Sequence, residues 1–138
     1  MIRRVTHISV YVKNEDEALA FFTGKLGFKK KMDNQMGPGG PRWITVTPAG
    51  QPDFEVNLFN PASWSKGEDA AVIAAQTAQI GHQAMIILDS DDIDADYRAL
   101  KAAGVTIELG VRDLPWGRDL IFQDLYGNRY NLVQSKQG

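Results

Sequence analysis

The sequence predicts an α+β fold in which two βαβββ modules form a curved mixed sheet, a half-barrel, around a cavity. Three observations predict it: alternating apolar and polar residues mark strands, a helical pattern follows the first strand of each half, and this order occurs twice. We therefore expect residues 1–138 to form one domain, with a first module at 1–60, a connecting segment at 61–81 and a second module at 82–138.

The first module begins with a strand and a helix. Residues alternate from Val5 to Val12, which indicates a half-buried strand. Asn14 is a typical N-cap, Glu17 follows three residues later, and apolar residues at helical spacing continue until Gly27, a usual residue after a helix end. Three further strand candidates complete the module: Phe28–Met32, Trp43–Thr47 and Phe54–Phe59.

The second module repeats this order. A strand candidate at Ala84–Leu88 precedes a helical pattern that stops at Gly104. An offset of 78 residues takes His7 to Met85, so these two residues hold equivalent positions. The remaining strand candidates are Thr106–Val111, Asp119–Gln123 and Arg129–Gln134.

The segment from Pro61 to Gly81 joins the modules. Its alanine-rich part, Asp69–Ala78, predicts a short helix. We expect Trp64 and Ile73 to pack over a rim of the sheet, and a lid over a substrate is the alternative.

Composition excludes several classes of function. Fifteen basic and seventeen acidic residues give a net charge of −2, which argues against a nucleic-acid partner. The chain has no cysteine, and therefore neither disulfides nor thiolate metal sites. No segment approaches the roughly 20 apolar residues of a membrane span or resembles a signal peptide, so we expect a cytoplasmic protein without a membrane partner.

The two faces of the predicted strands differ in chemistry. One face is apolar and suits packing on the helices, with Ile8, Val10, Val56, Leu58, Ile86 and Leu88. The other is polar and aromatic, as expected of a ligand cavity, although a solvated sheet face shows the same alternation. It carries His7, Ser9, Tyr11, Trp43, Thr45, Glu55, Asn57, Met85, Ile87, Asn131 and Val133.

Several short motifs lie in order along nearly the whole chain. They are Thr6-His7-Ile8-Ser9-Val10, Lys25-Leu26-Gly27-Phe28, Asp91-Asp92-Ile93-Asp94, Lys101-Ala102-Ala103-Gly104-Val105, Pro115-Trp116-Gly117, Asp124 and Gly127-Asn128-Arg129. With these motifs the sequence resembles the vicinal-oxygen-chelate superfamily of glyoxalases, bleomycin-resistance proteins and extradiol dioxygenases. The resemblance implies the predicted half-barrel, a small-molecule ligand and a homodimer.

The resemblance also implies where a divalent metal would bind. In metal-dependent members the first and last strands of each module supply the ligands, and the matching positions here are His7, Glu55, Met85 and Asn131. His7 and Glu55 agree with a site for Mn, Fe, Ni or Zn. A thioether and a neutral amide are poor ligands for such ions, so the site looks incomplete and the alternative is no cofactor. His82 would need a bulge to reach the same centre.

His7 and Glu55 are the candidate catalytic residues. Glu55 is suited to act as a base toward an acidic C–H, and His7 as an electrophile or proton carrier. A histidine that is satisfied by hydrogen bonds within the sheet is the alternative for His7.

Aromatic and polar residues are the candidate ligand contacts. Tyr11, Trp43 and Trp116 are suited to stack on a planar ligand, although Trp116 would equally serve to anchor its turn. Asn57, Met85 and Asn131 complete the predicted ligand-binding set.

Three functions follow as hypotheses. The first is a small-molecule-binding protein with lyase, isomerase or oxygenase chemistry. The second is a metal-free protein that sequesters a drug or metabolite, as bleomycin-resistance proteins do. The third, a module that binds another protein in its groove, has no positive sequence feature.

Overall fold

The computed structural model describes residues 1–64 and 70–136. The chain divides into two compact units, Met1–Ile80 and Gly81–Gly138. Each unit contains a strand, a helix and three further strands, which confirms the α+β class and the βαβββ repeat. The strands form two four-stranded mixed sheets, one in each unit.

In its described residues, the first unit contains one mixed sheet and three helices. Its strand order is β1-β4-β3-β2, in which β1 is parallel to β4 and the other pairs are antiparallel. The elements are β1 (His7–Tyr11), α1 (Glu15–Gly24), β2 (Lys29–Gln35), β3 (Arg42–Thr47), β4 (Glu55–Phe59), α2 (Pro61–Trp64) and α3 (Ala70–Ala78).

The ends of α1 follow from its sequence. The side-chain oxygen of Asn14 accepts a hydrogen bond from the backbone N–H of Glu17 at 2.8 Å, as expected of an N-cap. After the helix, Gly27 has a φ of 74°, which glycine adopts without strain.

The connecting segment forms a short helix as predicted. This helix, α3, begins at Ala70 in the described part of the chain. Asp69, at which the sequence placed its start, lies in the segment 65–69, which is outside the described residues.

The second unit has the equivalent sheet, with strand order β5-β8-β7-β6. The side chain of Asp92 caps the helix by accepting from the backbone N–H of Ala95 at 3.1 Å. The elements are β5 (Ile86–Asp89), α4 (Ile93–Ala102), β6 (Thr106–Leu114), β7 (Gly117–Gln123) and β8 (Arg129–Ser135).

The hairpin between β6 and β7 differs from the prediction. The sequence predicted that β6 ends at Val111, whereas its pairing with β7 continues to Leu114, which lies opposite Gly117. Two register shifts, between Ile107 and Leu109 and between Leu109 and Arg112, lengthen β6 relative to its partner. Trp116 therefore lies in a tight turn.

Each sheet buries one face against a helix of its own unit. In the first unit, Val10, Ile44 and Leu58 are buried together with Phe21 and Phe22 of α1. In the second unit the buried set is Leu120, Phe122, Tyr130, Leu132, Ile93 and Leu100. This apolar packing is the main stabilising contribution to each unit.

Three apolar residues on the described edge strands are exposed, one of which is Met32 of β2 at 38%. Ile8, which the sequence assigned to packing on a helix, is 39% exposed, because β1 is an edge strand and Ile8 lies near its beginning. Ile87 on the edge strand β5 is 68% exposed. Among the described residues, no helix is both long and apolar enough to cross a membrane.

Candidate functional site

The face of the first sheet that does not pack on α1 carries the predicted polar and aromatic residues, and we call it the polar face. The parallel pairing of β1 with β4 sets His7 beside Glu55 and Ser9 beside Asn57. Side chains alternate along a strand, so these four residues share one face. Thr45 on β3 lies next to Asn57 and joins the set.

Glu55 is the centre of the polar contacts. Its Oε1 accepts a hydrogen bond from the Thr45 hydroxyl at 2.7 Å, and its Oε2 lies 3.2 Å from His7 Nε2. The Lys31 ammonium lies 3.8 Å from the same Oε2 and donates to the carbonyl of Pro52. The Glu55 side chain is only 13% exposed, so this carboxylate is held in place by a hydroxyl and two basic groups.

Lys31 reaches Glu55 because of a bulge. Pairing between β2 and β3 changes register between Lys30 and Met32, which leaves Lys31 as an extra residue in the strand. Strand alternation alone does not reveal such a bulge, so the sequence did not predict Lys31 as a site residue.

A continuous row of rings lies along the polar face, and we call it the aromatic row. Neighbouring ring centroids are 5.7–6.0 Å apart, and every member remains partly exposed. In contact order the row is His7, Trp43, Trp64, Phe59 and Tyr11.

Trp64 completes the aromatic row from outside the strands. Its ring stacks on Phe59 at an interplanar angle of 16° and meets Trp43 edge-on at 85°. Its Nε1 donates to the backbone carbonyl of Arg42 at 3.2 Å, which fixes the ring orientation. The sequence expected Trp64 at a rim of the sheet, and its position in the row was not predicted.

Asn57 is a buried amide on the polar face. The residue is 3% exposed, and its Nδ2 donates to the Ser9 hydroxyl at 3.3 Å. Its Oδ1 is buried without a hydrogen-bond partner in the described residues. An unpaired buried acceptor costs about 1–3 kcal/mol, so a donor group that reached this oxygen would gain stabilisation there.

The residues present do not fit a tightly bound divalent metal. Within residues 1–64 and 70–136, no group of three or more His, Cys, Asp or Glu side chains comes together. The candidate metal ligands of the first unit, His7 and Glu55, contact each other. The Lys31 ammonium beside them would repel a cation.

The other predicted site residues belong to the second unit. Met85 lies just before β5 and is 47% exposed, and Trp116 in the β6–β7 turn is 63% exposed. Asn131 uses its amide nitrogen internally, donating to Asp119 at 3.0 Å and to the carbonyl of Leu120 at 3.1 Å. His82, the alternative metal ligand, is exposed.

A charged cluster in the second unit was not predicted. Asp119 is buried and accepts from Arg112 Nε at 2.7 Å and Arg112 Nη2 at 3.3 Å, as well as from Asn131. The hydrogen bond from Arg112, together with that from Asn131, holds the pKa of the Asp119 carboxyl below its ordinary value of 3.8. The sequence missed this cluster because register shifts in β6 determine which residue faces Asp119.

The lowered pKa of Asp119 predicts a pH dependence of stability. A carboxyl group with a lower pKa in the folded state stabilises the fold above its unfolded pKa of about 3.9. This contribution is lost as the pH falls through the folded-state value. We expect the free energy of unfolding of Asp119→Asn, measured by urea denaturation, to depend less on pH below about 4 than that of wild type.

The exposed Asp113 supplies the control, since its side chain is 89% exposed. The variant Asp113→Asn should retain the wild-type acid dependence. If the unfolding free energies of Asp119→Asn and wild type had the same pH dependence below about pH 4, this would contradict the prediction.

Comparison with known proteins identifies a family and several similar structures. The sequence model of the Glyoxalase/Bleomycin resistance protein/Dioxygenase superfamily matches residues 4–132 of this chain. An uncharacterized protein of Shewanella frigidimarina (strain NCIMB 400) is 30% identical over 97% of this chain and 95% of its own length.

Two crystal structures are similar over nearly their full length. UcmS2 has 30% identity and a TM-score of 0.82, with 96% of this chain and 98% of that chain covered. TnmS3, an antibiotic binding protein from Streptomyces sp. CB03234, has 29% identity and a TM-score of 0.72, with 98% of each chain covered.

Proposed function

The chain belongs to the Glyoxalase/Bleomycin resistance protein/Dioxygenase superfamily, and we propose that it is a metal-independent protein of this superfamily. We propose that it binds and sequesters a planar, largely apolar small molecule. The ligand lies against the aromatic row of the first unit. The likeness to TnmS3, an antibiotic binding protein, supports this reading and suggests a ligand of antibiotic-like character.

The aromatic row is the observation that carries the proposal. Five rings in sequence on one face, all partly exposed, offer a wide apolar surface next to polar groups. Aromatic side chains provide large contact areas and favour planar partners, and a stacked or edge-to-face pair contributes about 0.5–1.5 kcal/mol beyond its buried area.

Polar groups beside the row give the ligand its orientation. The Lys31 ammonium and the His7 imidazole lie against the Glu55 carboxylate, and the Asn57 oxygen is an acceptor without a partner in the described residues. A few polar groups in a mainly apolar surface are typical of small-molecule sites. We propose that hydroxyl or N–H groups of the ligand bind at the Glu55 carboxylate, which remains partly accessible.

The test of a planar ligand site compares two compounds that share a carbon skeleton but differ in shape. We expect planar 2-naphthol to quench tryptophan fluorescence with a Kd on the order of 0.1 mM, about −5.5 kcal/mol. Its saturated counterpart, decahydro-2-naphthol, has the same carbon skeleton but is not planar, and it should bind about ten times more weakly. Addition of EDTA should leave both affinities unchanged.

Either of two results would overturn the proposal. Absence of binding by planar compounds removes the stacking site. Loss of binding on chelation, with stoichiometric metal that disappears in both His7→Ala and Glu55→Ala, revives a metal-dependent function.

A second function, proton abstraction from a bound substrate, is favoured by the contacts of Glu55. Its carboxylate is fixed by Thr45 and lies 3.2 Å from His7, as a base with a neighbouring proton carrier would require. In such a lyase or isomerase, Glu55→Gln would abolish turnover while leaving probe affinity largely intact. In a pure binding protein, Trp43→Ala would reduce affinity and no turnover would be found.

Assembly and location remain predictions. We propose a single domain formed by residues 1–138, a homodimer and a cytoplasmic location, with neither nucleic acid nor membrane as a partner. Light scattering of the purified protein tests the dimer directly.

A further inference from the structure

We propose that the second unit carries its own recognition site for a neutral carboxamide or lactam group, formed by Arg112 and Asn131 and held by the buried Asp119. This site goes beyond the proposed function, since it lies on another sheet and does not require the aromatic row.

The buried carboxylate orients both recognition groups. Asp119 Oδ1 accepts from Arg112 Nε at 2.7 Å, and Oδ2 accepts from Asn131 Nδ2 at 3.0 Å. The Asp119 side chain is only 6% exposed, so its position is set by the sheet around it. The guanidinium and the amide are therefore both held by one carboxylate, which reduces the entropy cost of binding.

The unused atoms of the two side chains define the ligand chemistry. Arg112 is 49% exposed and binds Asp119 through Nε and Nη2, so its Nη1 donors have no partner in the described part of the chain. Asn131 uses both hydrogens of its amide nitrogen, on Asp119 and on the carbonyl of Leu120. Its amide oxygen is left as an acceptor. Donors on Arg112 and an acceptor on Asn131, on two side chains that both bind Asp119, match the oxygen and the N–H of a carboxamide.

Charge balance favours a neutral group over an anion. Arg112 and Asp119 together carry no net charge, and a ligand carboxylate at Arg112 would lie close to the Asp119 carboxylate. A carboxylate also lacks the N–H that the Asn131 oxygen requires. The site should therefore discriminate an amide from the acid of the same shape.

Apolar surface lies next to these polar groups. Ile87 is the parallel-strand partner of Asn131 and is 68% exposed, and Ile121 is its antiparallel partner. The site thus suits an amide attached to an apolar body.

The experiment compares 2-naphthamide with 2-naphthoate by NMR of the ¹⁵N-labelled full chain. We expect 2-naphthamide to shift the Arg112 Nε–Hε and Asn131 side-chain signals, with an affinity about tenfold higher than that of 2-naphthoate. The variant Arg112→Gln should remove this preference, and Arg112→Lys should weaken it because lysine lacks the rigid planar fork. The matched control Arg118→Gln removes the same charge from an arginine paired with Asp94, and it should keep the wild-type preference.

The outcomes separate this site from the aromatic row. Shifts of the Arg112 and Asn131 signals that persist in Trp43→Ala support the second site even if 2-naphthol fails to bind. A preference for 2-naphthoate, equal effects of the Arg112→Gln and Arg118→Gln variants, or unchanged Arg112 signals would overturn it. In each of these cases the contacts of Asp119 with Arg112 and Asn131 serve only to hold β6, β7 and β8 together.

Discussion

Replacement of Asp124 by alanine is expected to lower the free energy of unfolding by about 4 kcal/mol, because several buried donors lose the carboxylate that they share as an acceptor. Asp124 is 5% exposed and lies in the turn between β7 and β8. Its Oδ1 accepts from the backbone N–H groups of Tyr126 and Asn128 at 2.9 and 3.1 Å. Its Oδ2 accepts from Asn128 Nδ2 at 3.0 Å and from the Tyr130 hydroxyl at 2.7 Å.

The surroundings make these losses costly. Tyr130 is 1% exposed, and burial, followed by the Asp124 charge and the hydrogen bond to it, raises the pKa of its phenol far above the ordinary value. The Tyr130 hydroxyl therefore stays protonated and would lose this hydrogen bond inside the core. Asn128 Oδ1 also accepts from the backbone N–H of Gln83, so the turn is joined to the segment before β5.

Urea denaturation monitored by circular dichroism measures the effect. The exposed Asp53 provides the control, and Asp53→Ala should change the unfolding free energy by less than about 0.5 kcal/mol. Tyr130→Phe removes one hydrogen bond and should cost about 1.5 kcal/mol. A loss below about 1 kcal/mol for Asp124→Ala would show that the turn does not depend on this carboxylate.

The second large effect concerns binding: Trp43→Ala should weaken 2-naphthol binding about 30-fold, or about 2 kcal/mol, as expected of a central aromatic contact. Trp43 lies between two other rings of the aromatic row, 5.7 Å from His7 and 6.0 Å from Trp64. Its removal therefore interrupts the row as well as deleting contact area. Equilibrium dialysis measures the affinity without relying on tryptophan fluorescence.

Controls separate local loss of contact from general effects. Trp43→Phe keeps an aromatic ring and should remain within about fivefold of wild type. Tyr97→Ala removes an aromatic residue from α4 and should leave affinity unchanged. Trp116→Ala tests the predicted ligand contact in the second unit. Equal losses in Trp43→Ala and Tyr97→Ala would contradict a ligand site on the aromatic row.

The sequence determined the elements and the division of faces. Alternation with a period of two depends only on strand geometry, so His7 and Glu55 could be assigned to the polar face before their distance was known. Capping and helix-stop signals are equally local, and Asn14 and Gly27 have the predicted roles. The repeat of this pattern sufficed to predict the fold class.

Bulges, register and side-chain partners were decided by the tertiary structure alone. The extra residue in β2 brings Lys31 to Glu55, and the register shifts in β6 bring Arg112 to Asp119. Asn131 was predicted as a ligand-binding residue, and its amide nitrogen donates hydrogen bonds to Asp119 and to the carbonyl of Leu120. A single inserted residue reverses the parity of everything that follows in a strand, and only the pairing with the neighbouring strand reveals where that insertion lies.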